Sequence, residues 1–194
     1  MKSLPEYITK ELKEDGIINI NEEELCKYGM EGFLLTSIEI LSVLAISFVL
    51  GNFIDTIIFF AVFIPLRIYI GGYHARSKLR CYTMLMIVFI IFTVVLQYVE
   101  PTNFINTFII CFDLIAIVLI EKYAPVINCA KTVSIKERQT YQKISLYIIT
   151  IQTIVLIMCL IIKPKSKCVI SISYAQIIAV GAMILEIIKN YKRR

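Results

Sequence analysis

Along the chain, long apolar runs alternate with short charged stretches. Six runs stand out, at 33–50, 53–70, 82–99, 104–120, 144–162 and 169–188. Each is close to the length of about 18–20 residues with which a helix crosses a hydrocarbon core of about 30 Å. The third and fifth contain no charged residue, and the others hold one or two. This pattern predicts an all-α integral membrane protein with about six transmembrane helices, forming a single polytopic membrane domain over residues 1–194. Residues 1–30 are polar and predict amphipathic helices lying at the inner membrane surface, or else a polar tail. Ser3 with Glu6, and Asn21 with Glu24, fit capping-box spacing, and Leu4, Tyr7, Ile8 and Leu12 share one helical face, as an interfacial helix needs. No run reads as a cleavable signal peptide, because polar residues follow Met1.

Composition strengthens the membrane reading. Hydrophobic residues make up 58% of the chain and charged residues only 18%, against about a quarter charged in soluble domains. The charges also set an orientation. With an inside N-terminus, 16 of the 20 lysines and arginines fall on the inner side, as basic loops do in membrane proteins. Both termini and the 71–81 loop are therefore expected to be cytoplasmic. Lys163, Lys165 and Lys167 go against this rule, because they cluster in the predicted outer turn between the fifth and sixth runs. The outer turns Gly51-Asn52 and Glu100-Pro101-Thr102-Asn103 carry residues that reverse a chain easily. Six cysteines without a C-x-x-C, and one histidine, predict no metal site. No cofactor or nucleic-acid partner is expected; membrane lipid is.

Chemistry concentrates in residues 65–82, which hold the only histidine, His74, a glycine pair, Gly71-Gly72, and Cys81 seven residues beyond the histidine. A thiol becomes a useful nucleophile when ionised, and an imidazole can take its proton and return it to a leaving amine. Cys81 sits where the third span begins, where unpaired helix amides and the basic residues Arg76, Lys78 and Arg80 favour a thiolate. On one straight helix, residues seven apart are separated by about 10 Å, whereas proton transfer needs about 3 Å. The chain must bend between the two, or His74 must lie outside the helix; Gly71-Gly72 supplies the backbone freedom.

Arg67, Gly72, His74 and Cys81, read as R-x4-G-x-H-A-x5-C, resemble the signature of the accessory gene regulator protein B (AgrB) family. The resemblance extends over nearly the whole chain, through the polar N-terminus leading to Tyr28-Gly29, the six-span layout and an inner loop opening with Tyr123-Ala124-Pro125. It implies a membrane-embedded cysteine endopeptidase of the bacterial plasma membrane that processes quorum-sensing propeptides. Cys81 would be the nucleophile and His74 its acid–base partner, with Arg67, Gly71 and Gly72 as oxyanion or structural support. The implied substrate is an AgrD-like precursor with an amphipathic leader and an acidic C-terminal tail, the tail suiting Arg76, Lys78 and Arg80. A thioester intermediate, cyclisation to a thiolactone or lactone, and a homodimer are likewise implied.

Charges within spans are costly and default to functional candidates. Glu39, Arg67, Asp113 and Glu186 are expected in the inner half. Arg67 either bridges to Glu39 or binds an oxyanion; Glu39 and Asp113 are both candidates to orient His74. A small transporter, or a scaffold that binds a peptide, would also account for the buried charges, but no matching pair of Gly/Pro-broken spans points to inverted repeats.

Overall fold

The computed structural model describes residues 4–14, 23–72, 78–126 and 134–192. Seven helices are found among them: α1 (Leu4–Glu14), α2 (Glu23–Val49), α3 (Phe53–Ile70), α4 (Lys78–Tyr98), α5 (Asn103–Tyr123), α6 (Ile135–Ile162) and α7 (Lys167–Tyr191). Six of these, α2 to α7, are long and apolar enough to span a membrane. The chain is an all-α integral membrane protein.

Local chemistry fixes the helix starts. Thr102 accepts from the Ile105 amide at 3.3 Å to begin α5, and Ser166 accepts from the Cys168 amide at 3.3 Å to begin α7. Ser134 and Glu137 form a reciprocal capping box, which satisfies two orphan donors at once. That cap starts α6 nine residues before its apolar run, so Lys136, Arg138 and Lys143 lie on helix rather than in a loop. The two-helix reading of residues 1–30 also changes. The second segment is continuous with the first span in α2, because Gly29 and Gly32 are accommodated within that helix and nothing breaks it. Ser3 and Asn21, the expected caps, lie outside the described residues. α1 is tied to α2 by Lys27–Glu6 at 2.5 Å and Lys13–Glu23 at 2.6 Å, and the Glu6 carboxylate holds the Lys27 ammonium above the usual lysine range.

α7 is the central helix, packed most extensively on α3 and also on α4, α5 and α6. Its apolar window is 56% buried, whereas no other span exceeds 33%. Small residues along it, Ser171, Ser173, Ala175 and Ala179, are all buried and let neighbouring backbones approach closely. Phe59, Phe92 and Tyr174 stack where α3, α4 and α7 meet, with ring centroids 5.1–6.0 Å apart, and the Tyr174 hydroxyl donates to the Val88 carbonyl at 2.9 Å. Leu66, Ile70, Ile120, Ile149 and Met183 form a second apolar cluster at the end where α3 and α5 finish. Pro65 lies inside α3 and has no amide to give its helix. Near it, Gln152 of α6 donates to the Val62 carbonyl at 2.9 Å, a hydrogen bond that ties α6 to α3.

Candidate functional site

The site forms where α3 ends and α4 begins. α3 closes on Ile70, and Gly71 and Gly72 follow with φ of +72° and +131°. Both conformations lie where side chains with a Cβ are strained. Space imposes the same choice of residue. A Cβ on Gly71 would strike the Val126 carbonyl oxygen, and one on Gly72 would strike the Arg67 guanidinium and come within 3.1 Å of the Ala182 backbone. The close approach at Gly71 is a backbone bridge to Val126, closed by the Val126 amide donating to the Ile70 carbonyl at 2.9 Å. The Tyr123-Ala124-Pro125 segment is thereby pinned against the glycine pair. Its Ala124–Pro125 peptide bond is cis.

Arg67 reaches forward past the end of α3, and its Nη1 donates to the Gly71 carbonyl. It interacts electrostatically with Cys81 and with Glu186 of α7, while Cys81 also interacts with Glu39 of α2. Glu186 is fully buried and bonds Lys189 at 2.9 Å. Cys81 is an exposed residue in the first turn of α4. Glu39 is buried.

Of the residues singled out from sequence, Arg67, Gly71, Gly72, Cys81 and Glu39 converge at this end of the bundle. Arg80 is exposed one residue before Cys81. Lys78 opens α4, and its side chain is not among those described. His74 and Arg76 lie outside the described residues. Asp113 lies ten residues from either end of α5, at mid-span, with Thr153 of α6 its neighbour. Neither carboxylate oxygen of Asp113, nor the Thr153 hydroxyl, has a hydrogen-bond partner among the described residues. The Asp113–Thr153 proximity is therefore looser than a hydrogen bond.

Glu186 was the least visible member of the site in the sequence. Its signal was a carboxylate in an apolar run five residues from the end of α7, and only packing brings it within electrostatic range of Arg67. Val126 gave no signal, since its part is played by backbone.

A glycine-hinged junction holding an exposed cysteine near a half-buried arginine, at one end of a six-span bundle, defines a polytopic membrane protein with a candidate thiol centre. The chain belongs to the family described as Accessory gene regulator B, whose model matches residues 3–189. It is 26% identical over 163 residues to the Accessory gene regulator protein B of Staphylococcus aureus strain bovine RF122 / ET3-1, covering 83% of this chain and 79% of that protein. The corresponding proteins of S. aureus strains JH9 and JH1 match at the same identity and coverage. No solved structure matches.

Proposed function

We propose that this protein is a membrane-embedded cysteine endopeptidase that cleaves the C-terminal tail from an autoinducing-peptide precursor and promotes its cyclisation. Family membership supports a role in the accessory gene regulator quorum-sensing system. The observation that carries the enzymatic reading is the exposed Cys81 within electrostatic reach of Arg67, whose guanidinium is seated by Gly71 and Gly72.

In this reading the Cys81 thiolate attacks a peptide carbonyl of the precursor. Arg67 stabilises the oxyanion that develops, an interaction strongest in a site with little water. The peptide C–N bond breaks as His74 delivers a proton to the departing amine, leaving a Cys81 thioester. A cysteine or serine side chain of the peptide then attacks that thioester. Its proton passes to the base, the Cys81 thiolate leaves, and a thiolactone or lactone ring closes. Shielding the thioester from water keeps ring closure ahead of hydrolysis. The acidic tail is held by Arg76, Lys78 and Arg80, and the amphipathic leader lies beside α1 at the membrane surface. The protein acts in the bacterial plasma membrane as a homodimer, with its termini and the thiol site cytoplasmic.

Co-expression with a precursor followed by mass analysis tests the assignment. Cys81→Ala and His74→Ala each abolish cleavage while membrane insertion persists, because residues acting as a unit fail together. Cys81→Ser is nearly inactive, since a hydroxyl is far less ionised than a thiol. Replacing the other five cysteines together leaves substantial activity. Normal processing by Cys81→Ala would end the protease reading.

A further inference from the structure

The end of the bundle opposite the thiol site is where α3, α5 and α7 begin. There α4, α5 and α7 enclose a groove of about 330 Å³. Val95 of α4 and Val99 just past its end form one wall, Ile105 and Phe108 of α5 the other, and Ile170 and Ile177 of α7 contribute to the floor. The polar groups of the floor are already satisfied. The Ser173 hydroxyl donates to the Val169 carbonyl at 2.8 Å, and the Tyr174 hydroxyl is committed to Val88. The groove therefore offers hydrocarbon alone. From Lys167 at the start of α7 to Ile177 is ten residues, about 15 Å of helix, half of a hydrocarbon core of about 30 Å. The lining itself runs from Ile170 to Ile177, about 10 Å, so from the lysine turn downwards the site stays within one leaflet.

At the mouth stands the turn carrying Lys163, Lys165 and Lys167, all exposed. The turn is fastened over the α5 wall by Asn106, whose Nδ2 donates to the Pro164 carbonyl at 3.2 Å. The N-termini of α5 and α7, capped by Thr102 and Ser166, open at the same level and add positive partial charge. The acidic groups at this end are fewer. Glu100 is exposed on the α4 side, and Asp55 accepts from the Ser171 hydroxyl at 3.3 Å.

We infer that this groove and lysine turn form a binding site for one anionic phospholipid, with an acyl chain along α4, α5 and α7 and the phosphate against Lys163, Lys165 and Lys167. Charge complementarity selects the occupant, because an apolar slot within one leaflet, under a cationic turn, matches an anionic lipid at both ends. The site also gives a role to the three lysines that depart from the charge rule for topology.

The test is native mass spectrometry of the full chain released from nanodiscs of equimolar phosphatidylglycerol and phosphatidylcholine. Wild type is expected to retain one phosphatidylglycerol at least fivefold over phosphatidylcholine, and excess inorganic phosphate does not displace it. The triple variant Lys163→Gln, Lys165→Gln, Lys167→Gln keeps bound lipid but loses the preference. Ile177→Trp, which fills the groove, lowers retention of both lipids. Equal retention of the two lipids by wild type, or a preference that survives the triple variant, would overturn the site. So would a lipid-independent dimer that Ile177→Trp dissociates, since the groove would then receive a second copy.

Discussion

Gly72→Ala puts the packing of the site to a quantitative test. The new methyl would enter the space of the Arg67 guanidinium, with Cζ at 3.0 Å and the Ala182 backbone carbon at 3.1 Å, on a residue held at φ +131°. Backbone strain of this kind costs about 1–3 kcal/mol. The Ala182 side cannot yield, being backbone of the central helix, so Arg67 must swing away. It then loses its bond to the Gly71 carbonyl, a charged hydrogen bond contributing about 1.5–3 kcal/mol. The total loss is about 2.5–6 kcal/mol. At about 2–4 °C per kcal/mol for a chain of this size, the melting temperature in detergent falls by about 5–24 °C. Gly32→Ala is the control. A Cβ there meets nothing within 4 Å, so the same substitution stabilises α2 by about 0.5–1 kcal/mol. Melting is followed by intrinsic tyrosine fluorescence, and precursor cleavage is assayed below both transitions. Gly72→Ala is expected to cleave at least tenfold more slowly even where it is fully folded. Equal melting temperatures for Gly72→Ala and Gly32→Ala would refute the packing argument, and unimpaired cleavage by folded Gly72→Ala would separate Arg67 from the chemistry.

Glu186→Ala leaves the Lys189 ammonium without its buried carboxylate partner, and removing one partner of such a pair costs at most about 3–5 kcal/mol; a thermal scan that matches wild type would refute a stabilising role for this pair. Asp113→Asn is expected to process precursor at close to the wild-type rate, because Asp113 packs beside Thr153 at mid-span; a hundredfold loss in single-turnover cleavage would restore it as the group that orients His74. Changing Arg76, Lys78 and Arg80 together to Gln should weaken binding of acidic tails at low salt and flatten the salt dependence, measured by fluorescence anisotropy of a labelled precursor once membrane topology is rechecked. An unchanged salt slope would reduce these residues to topology signals.

The six spans were legible because a bilayer imposes a length and an apolarity that few other environments require. The helix ends were less so. α6 extends into its basic stretch because Ser134 and Glu137 cap it early, and hydropathy does not weigh a cap. At the site, Gly71 and Gly72 could be read as a bend, but the reason each must be glycine lies in residues distant along the chain, Val126 and Ala182. Arg67 had Glu39 as its nearest candidate partner in sequence, whereas α7 brings Glu186 to it. Asp113 had only its charge as a signal; helix register places it beside Thr153 in the middle of α5, and His74, which it was a candidate to orient, lies outside the described residues.

The central claim is that Cys81 forms a covalent thioester with the precursor, and intact-protein mass spectrometry measures this directly. Wild-type protein is mixed with a precursor whose ring-closing cysteine is replaced by alanine, so that the second step cannot proceed. The account predicts a mass increase equal to the precursor without its C-terminal tail, mapped to Cys81, released by hydroxylamine and absent from Cys81→Ala. An adduct on another cysteine, or cleavage of the precursor with no hydroxylamine-labile adduct on Cys81 at any time point, would contradict it.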